Sequence, residues 1–297
     1  MRFGKRRSSR SMTVEAIVPH GFCLGVVQAV RRAEEALAEG PLFWLHPPIH
    51  NENVCEALAA KGLRQVASLA EIPAGGRVLL SAHGTAPTVR EEIEQQGLAI
   101  VDATCPFVAR LHRQAHAFAM QGLPVVVIGH VGHVEVAGLS GAVTAADGIC
   151  EVVHSVSDVA HLPFDLPSEI GVLCQTTFDG TAAADILAAL AARYPRLQAT
   201  PSAEVCTATR DRQEAVRAFV RAGGDGVLVL GSAGSSNTCR LLEVAREAGA
   251  VRAVRAATLD EVSELDFSGI QRLGVTSGAS TPECFYQTTL DFLKIRY

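Results

Sequence analysis

Three cysteines stand at positions where a thiol could carry out chemistry. Cys23 follows the apolar segment EAIV and the turn PHGF, Cys105 ends the segment LAIVDAT, and Cys206 follows an extended segment. Each precedes a helical pattern, and Pro106 suits the first position of a helix. We therefore expect each thiol at a helix N-terminus, where a thiolate is favoured.

The other five of the eight cysteines occupy more ordinary positions. Cys55 and Cys239 fall within predicted helices, and Cys150 and Cys174 fall in predicted strands, where a thiol usually fills space. Cys284 lies just inside a predicted helix and rivals the first three on position alone. Since no export signal precedes these cysteines, metal or catalytic roles are favoured over disulfides.

Three thiolates from separate parts of the chain suit two kinds of metal centre. A closed structural zinc site normally has four ligands with close C-x-x-C pairs, and the sequence contains no such pair. Three cysteines fit an iron–sulfur cluster with one iron left open for a substrate. They also fit an incomplete catalytic zinc site, so spacing alone leaves both possibilities open.

Polar side chains follow several other predicted strands or begin helices. Backbone N–H groups, hydroxyls and amides at helix starts bind anions, and histidines add donors and, when protonated, charge. We infer a diphosphate or similar ligand, although ordinary helix capping explains SSN or GAS when either is taken alone. The segments concerned contain His50, His83, His133, Thr176, Thr177, Ser235, Ser236, Asn237 and Ser280.

Glu135 is the one carboxylate in the His-flanked segment GHVGHVEVAG, which we expect to be a loop after a strand. A buried glutamate can hold a proton near neutral pH and deliver it, and Thr176 could pass one on. A solvent-facing loop glutamate is the alternative. His112 and His116 could together chelate a metal, but a solvated helix face is the simpler interpretation.

The elements that must position these residues alternate along the chain. Short apolar strands followed by helices predict an α/β fold with parallel sheets covered on both faces. The predicted strands are 15–18, 42–46, 77–83, 98–104, 124–130, 150–155, 169–175, 226–232 and 272–278. The predicted helices are 26–39, 51–61, 87–97, 107–121, 179–194, 210–222, 236–248 and 282–293.

The length of 297 residues predicts more than one domain. Breaks near residue 105 and in 194–205 suggest three α/β domains, at 14–105, 106–204 and 205–297, after a disordered extension at 1–13. The net charge of −5 argues against a nucleic-acid surface. Without a run of 18 apolar residues or a secretory signal, we expect a cytoplasmic protein that does not enter a membrane.

Eight motifs occur in the order typical of one family. They are HGFCLGV, SAHG, VDATCP, GHVGHVE, QTT, CTATRDRQEA, GSSNT and GVTSGAS. On these motifs the chain resembles the 4-hydroxy-3-methylbut-2-enyl diphosphate reductase (LytB/IspH) family over residues 14–293. Eight ordered motifs are far more specific than any one of them.

The resemblance implies a fold and a reaction. The fold would be three small parallel-sheet α/β domains in a trefoil around a central 4Fe–4S cluster. In the reaction, two electrons and two protons would remove the allylic hydroxyl of the substrate, giving isopentenyl and dimethylallyl diphosphates in the last step of the non-mevalonate isoprenoid route. A ferredoxin or flavodoxin would supply the electrons, and no G-x-G-x-x-G dinucleotide motif follows a strand.

The resemblance also implies roles for individual residues. The cluster would be held by Cys23, Cys105 and Cys206. The resemblance thus implies that Cys284 is not a ligand. Glu135 would supply protons, assisted by Thr176. The diphosphate would be held by His50, His83, His133, Ser235, Ser236, Asn237 and Ser280, with Thr177 and Thr209 lining the pocket.

The chain departs from the family pattern at a few positions. His20 and Leu24 stand where Arg and Ala are more usual, Val134 replaces a proline, Ala137 replaces a glutamate, and Arg210 is unusual in the third cysteine motif. The alternatives are therefore a divergent relative acting on another allylic diphosphate, a non-catalytic iron–sulfur sensor, and, more remotely, a zinc hydrolase.

Overall fold

A computed structural model of the chain describes residues 12–165, 168–199 and 205–297. Its contacts divide it into two compact units. The central unit is Phe22–Arg210, and the C-terminal unit joins the residues up to Gly21 to Asp211–Tyr297. In the described ranges, no helix is both long and apolar enough to span a membrane.

The central unit contains two four-stranded parallel sheets. The first consists of β2 (Leu42–Trp44), β3 (Leu63–Gln65), β4 (Arg77–Leu80) and β5 (Ala99–Asp102), in the order β3-β2-β4-β5. The second consists of β6 (Val125–Ile128), β7 (Cys150–Val153), β8 (Gly171–Cys174) and β9 (Gln198–Ala199), in the order β7-β6-β8-β9.

Helices connect and cover these strands. They are α1 (Leu24–Ala38), α2 (Glu52–Ala60), α3 (Pro87–Gln95), α4 (Pro106–Met120), α5 (Val134–Thr144), α6 (Val156–Val159) and α7 (Gly180–Arg193), with a 3-10 turn at Leu69–Glu71. Every residue of β6 is fully buried, as a strand covered on both faces must be. On one face of β6, the side chains of Leu111, Phe118 and Leu139 from α4 and α5 form a continuous apolar core.

The C-terminal unit contains a third four-stranded parallel sheet. Its strands are β1 (Thr13–Ala16), β10 (Gly226–Leu230), β11 (Arg252–Ala256) and β12 (Arg272–Ser277), in the order β1-β12-β10-β11. Its helices are α9 (Ser236–Glu247), α10 (Leu259–Glu264) and α11 (Glu283–Arg296). Helix α8 (Thr207–Arg221) begins in the central unit and ends in this one.

Strand β1 joins the far end of the chain. It pairs with β12 from Thr13 opposite Arg272 to Ala16 opposite Val275. Arg272 donates to both carboxylate oxygens of Glu15 at 2.9 and 3.1 Å. The three-domain division at 14–105, 106–204 and 205–297 stays a prediction. The pairing of β1 with β12 joins residues that this division assigns to different segments.

The predicted α/β class with parallel sheets is confirmed, and each of the nine predicted strands overlaps an observed one. The sequence did not predict β3, β9, β11, α5, α6 or α10. The two strands β3 and β9 are too short to show a period, and α5 (VEVAGLSGAVT) is apolar on nearly every side, which hides a helical pattern. Of the predicted extension at 1–13, residues 1–11 lie outside the described residues, and Thr13 begins β1.

The two residues that follow β1 are predicted to differ greatly in their contribution to stability. Ile17 is 4% exposed and packs with Val216 and Val220, whereas Val18 is 63% exposed. We expect Ile17→Ala to lower the free energy of unfolding by about 2–5 kcal/mol because it leaves a cavity, and Val18→Ala to change it by less than about 0.5 kcal/mol. Urea unfolding measures both. Equal, small effects would show that Ile17, the residue after β1, does not belong to this core.

Candidate functional site

The three cysteines singled out by position all begin helices. Cys23 is the N-cap residue of α1, Cys105 is the N-cap residue of α4, and Cys206 directly precedes α8. All three are half-buried members of the central unit. Pro106 occupies the first position of α4, as predicted.

The other cysteines lie where the sequence predicted them. Cys55 and Cys239 are in α2 and α9, Cys150 begins β7, and Cys174 ends β8 within the apolar core. Cys284 is exposed in α11, in the C-terminal unit.

Gly25 brings the first turn of α1 against the thiol of Cys105. A β-carbon placed at Gly25 would lie 2.6 Å from the Sγ atom of Cys105, closer than two such atoms can approach. Only glycine allows this contact, because it has no side chain. The helix that begins at Cys23 therefore touches a second cysteine of the set.

Backbone hydrogen bonds tie the cysteines to the segments that carry the predicted polar residues. The N–H of Cys105 donates to the carbonyl of Ala82 at 3.0 Å, next to His83. The N–H of Cys206 donates to the carbonyl of Thr176 at 3.2 Å. The position of each thiol is thus coupled to the end of a strand in one of the two sheets.

Opposing effects act on the pKa of each of two thiols, Cys105 and Cys206. Burial raises the pKa of Cys105 and of Cys206, and the negative charges of Cys23 and Glu135 add to this. The backbone N–H groups of Phe107 and Val108, at the start of α4, lower the pKa of Cys105. The predicted effect of the helix N-terminus is present there, but burial outweighs it.

The donor set suits a cluster better than a single ion. Among the described residues, no three His, Cys, Asp or Glu side chains are placed to hold one metal ion. An iron–sulfur cluster makes a different demand, because its thiolates bind separate irons. Two of the three helix starts that carry these thiols meet at Gly25, which is compatible with thiolates that bind separate irons.

Glu135 lies in the first turn of α5, not in the predicted loop, and its side chain is fully buried. Its two carboxylate oxygens accept hydrogen bonds from the N–H and the hydroxyl of Thr176, both at 2.7 Å. Burial raises the pKa of Glu135 from 4.5 to about 7, and the two bonds from Thr176 keep it from rising further. The solvent-facing alternative is therefore wrong, and this carboxyl can exchange a proton near neutral pH.

Three histidines form a cluster in the same unit. The rings of His50 and His83 stack with centroids 4.2 Å apart, and the ring of His133 stands edge-on to both, at 5.9 and 6.1 Å. His83 follows β4, and His133 is the N-cap residue of α5, where its Nδ1 accepts from the N–H of Glu135. His50 precedes α2, whose N-cap is Asn51.

The histidine cluster is neutral at pH 7. Burial lowers the pKa of all three histidines, that of His133 to about 4 and that of His83 well below its usual value, and their proximity to one another adds to this for His83 and His133. The Nε2 atoms of His83 and His133 are buried and have no hydrogen-bond partner within the described part of the chain. Buried, unbonded imidazole nitrogens are costly unless a ligand satisfies them.

Two predicted pocket residues lie beside these groups. Thr209 is buried, and its Oγ1 lies 3.2 Å from the Sγ of Cys206. Thr177 is half-buried, and its hydroxyl accepts a hydrogen bond from the side chain of Gln175 at 2.8 Å.

The remaining predicted anion-binding residues belong to the C-terminal unit. Ser235 is the N-cap residue of α9 and accepts from the N–H of Thr238 at 3.3 Å, which bears out helix capping for this serine. Asn237 is buried, and its Oδ1 accepts from the N–H of Ala279 at 2.9 Å. This bond joins the SSN segment to the GAS segment that contains buried Ser280. Ser236, the first residue of α9, is half-buried.

His112 is a residue whose role the sequence did not reveal. We expected a solvated helix face for His112 and His116, but only His116 is exposed. β-carbons at Gly84 and Gly138 would lie 2.5 and 2.9 Å from the ring of His112, so this ring packs tightly against both glycines. It therefore separates the segment that carries His83 from the helix that carries Glu135.

A cavity of about 370 Å³ lies in the central unit. It is lined by Ser81, Gly84, Val134 and Gly138, which flank His83 and Glu135, but not by those two residues themselves. Its described lining is mostly apolar and carries the carboxylate of Glu92, which would repel a diphosphate.

Comparisons with known proteins agree with the resemblance. The family model described as LytB protein matches residues 14–294. The 4-hydroxy-3-methylbut-2-enyl diphosphate reductase of Streptomyces coelicolor is 39% identical over 295 residues, covering 99% of this chain and 86% of that protein. The enzyme of the same name from Chlamydia trachomatis serovar D is 42% identical over 276 residues, covering 92% and 88%.

Two solved structures share the fold. The E-1-hydroxy-2-methyl-but-2-enyl-4-diphosphate reductase of Plasmodium falciparum superimposes with a TM-score of 0.88 at 31% identity, over 95% of this chain and 88% of that one. A structure of (E)-4-hydroxy-3-methyl-but-2-enyl diphosphate reductase gives 0.67 at 28% identity, over 96% and 99%. The chain therefore belongs to the LytB family, whose members are iron–sulfur oxidoreductases.

The environment of Glu135 predicts a measurable titration. In the cluster-free chain, the infrared band of a protonated carboxyl should disappear as the pH rises through about 7. Thr176→Val removes a hydrogen bond that stabilises the carboxylate, so its midpoint should lie higher. The Glu135→Gln variant lacks this carboxyl, so the absence of the band in that variant assigns the band to Glu135. A midpoint near 4.5, the ordinary value, would contradict the burial of this carboxyl.

The contact at Gly25 predicts a specific loss of metal binding. Gly25→Ala should destabilise the fold by about 1–3 kcal/mol through overpacking and displace the thiol of Cys105. Gly141→Ala is the matched control, because its β-carbon would lie 2.5 Å from that of Ala86, away from the cysteines. After anaerobic reconstitution, iron content should fall only in the Gly25 variant. Equal iron content in both would show that the contact does not matter for metal binding.

Proposed function

We propose that this chain removes the hydroxyl group of (E)-4-hydroxy-3-methylbut-2-enyl diphosphate by reduction, giving isopentenyl and dimethylallyl diphosphates. Two electrons and two protons enter, one C–O bond breaks and water leaves. The relatives carry the name of this activity, and one neighbouring structure is titled as the terminal enzyme of the non-mevalonate pathway. The buried pair of Glu135 and Thr176 is the observation that carries the proposal, because it supplies a proton at neutral pH.

Cys23, Cys105 and Cys206 would hold the cofactor, a 4Fe–4S cluster with one iron free of protein ligands. When bound, it supplies single electrons and a Lewis-acidic iron for the substrate hydroxyl. The three thiols lie at helix starts, two of which meet at Gly25, in a unit that also contains the histidine cluster and Glu135. Their number and placement support this assignment.

The histidines would bind the diphosphate. Neutral imidazole donates one hydrogen bond, and the buried Nε2 atoms of His83 and His133 need a partner. A diphosphate would raise the pKa of each ring and so would recruit protons to the cluster. Ser235, Ser236, Asn237 and Ser280 would donate further hydrogen bonds, with Thr177 and Thr209 lining the pocket.

Glu135 would deliver protons to the leaving hydroxyl and to the allyl group. A carboxyl with a pKa near the working pH is an effective general acid, because it holds a proton and gives it up readily. The Thr176 hydroxyl donates to the Oε2 atom of Glu135, so the threonine can orient the carboxyl and pass a proton through its own oxygen. Burial keeps bulk water from competing with this transfer.

A ferredoxin or flavodoxin would supply the electrons, one at a time. The other candidates keep the same site. A related reductase would take a different allylic diphosphate, and a sensor would bind a cluster without turnover. The Glu135–Thr176 pair favours an enzyme, because a sensor has no use for a buried proton donor beside anion-binding histidines.

The proposal predicts a separation between cluster binding and turnover. After anaerobic reconstitution, the wild-type chain should consume the substrate when dithionite supplies electrons. Glu135→Gln should keep its iron and sulfide but lose at least about 100-fold in kcat, since general acid catalysis contributes that much or more. Cys105→Ser should lose the cluster itself.

Glu91→Gln, at an exposed position of α3, serves as the matched control and should keep full activity. Product analysis by mass spectrometry separates the two reductase candidates when a panel of allylic diphosphates is supplied. Full activity of Glu135→Gln would exclude the proton role, and a wild-type chain that binds a cluster but consumes none of the panel would favour the sensor.

A further inference from the structure

Two helices of the central unit carry similar exposed stripes. On α1, Leu24, Val27 and Arg31 follow Cys23 at spacings of three and four residues, so they share one face of the helix. Leu24 is 72% exposed and Val27 is 46% exposed. Because they are three residues apart on the helix, these two side chains form a small apolar patch on its exposed face.

On α4, the corresponding stripe begins at Pro106 and continues through Arg110 and Arg113. All three residues are exposed, and their spacings of four and three residues place them on one face. Both stripes thus start directly after a cysteine, with apolar residues nearest the cysteine and arginines further along.

The two stripes begin next to each other. Gly25, which follows Leu24, contacts the Sγ atom of Cys105, which precedes Pro106. Leu24 and Pro106 therefore flank the point where the first turn of α1 meets the thiol of Cys105. We call Leu24, Val27, Pro106, Arg110 and Arg113 the α1/α4 face.

The charge of this face is opposite to that of the chain. The chain has a net charge of −5, yet α4 (PFVARLHRQAHAFAM) contains no acidic residue. Arg110 lies over the ring of Phe107 at 4.7 Å, and neither Arg110 nor Arg113 pairs with a carboxylate in the described part of the chain. By contrast, Arg31 is paired with Glu35 at 3.2 Å.

We propose that the α1/α4 face docks a small acidic protein that carries one electron, of the ferredoxin or flavodoxin kind. The proposal rests on the proposed function, because an electron carrier docked here needs a cluster at the neighbouring cysteines to reduce. Electron transfer weakens steeply with distance, so a donor must approach close to the cysteines. An apolar centre with unpaired arginines matches the small, transient and charge-steered interfaces of redox partners.

The docked carrier accounts for the electrons of the reaction. Each encounter oxidises one reduced carrier by one electron, so two carriers are consumed per substrate molecule. The two electrons and two protons replace the C–O bond of the substrate by a C–H bond and release water.

The test compares two electron sources in the reconstituted enzyme. The variants are Leu24→Ser and the double variant Arg110→Gln/Arg113→Gln. Arg64→Gln is the control for charge, because Arg64 is exposed on β3. Arg64 lines a cavity together with Glu39 and Gly40, which follow the C-terminal end of α1, whereas Cys23 precedes its N-terminal end. Met120→Ser, at the far end of α4, is the control for an exposed apolar side chain.

Carrier affinity is measured by surface plasmon resonance with an acidic ferredoxin and, in parallel, with a flavodoxin. Both face variants should weaken binding of at least one carrier and raise its KM by roughly fivefold to tenfold, as expected for losing exposed charge pairs or one apolar contact. The arginine variant should also show a weaker dependence on salt. Turnover driven by dithionite, iron content and both control variants should be unchanged.

Several results would overturn the docking face. They are unchanged affinity and KM for both carriers, an equal loss of dithionite-driven turnover, or binding of the face to anionic lipid vesicles without any effect on carriers. If the wild-type chain fails to turn over with dithionite, the proposed function fails instead, and the affinity measurements still decide whether carriers dock here.

Discussion

The pair of Glu135 and Thr176 is the interaction on which the candidate site depends. Thr176 donates its N–H and hydroxyl to the carboxyl of Glu135, and its carbonyl accepts from the N–H of Cys206. The N–H of Glu135 donates in turn to the ring of His133. One threonine thus connects the start of α5, the histidine cluster and Cys206. A displacement of any one of these groups would therefore change the hydrogen bonds that position the others.

A second chain of bonds places the first two cysteines. The N–H of Cys105 donates to the carbonyl of Ala82, whose own N–H donates to the carbonyl of Pro48, two residues before His50. The contact at Gly25 adds the helix that begins at Cys23. These bonds come from the carboxyl ends of parallel strands, where an α/β sheet leaves room for a ligand.

Holding a proton donor and bare imidazoles in a buried site has a cost in stability. The pKa of Glu135 rises from 4.5 to about 7 on folding, so the penalty is absent below pH 4.5 and complete above about pH 7. The buried Nε2 atoms of His83 and His133 also lack partners in the described structure. Local violations of this kind are typical of functional sites, because the surrounding core compensates for them.

Local patterns predicted much of this arrangement, and non-local packing supplied the rest. The three helix-start cysteines were visible because each stands between an extended segment and a helical period. Helix α5 was hidden because its sequence is apolar on nearly every side, so Glu135 was expected in a loop. The packing of His112 between Gly84 and Gly138, and the pairing of β1 with β12, join residues far apart in sequence that no local pattern connects.

Our central proposal is that Cys23, Cys105 and Cys206 would hold an iron–sulfur cluster that leaves one iron free for the substrate hydroxyl. Mössbauer spectroscopy of the chain reconstituted with iron-57 tests it directly, with and without the hydroxylated diphosphate. We expect a cluster in which substrate alters the spectrum of one iron and leaves the spectra of the other irons nearly unchanged. An equal effect on every iron, or a chain that takes up zinc and no sulfide, would contradict it.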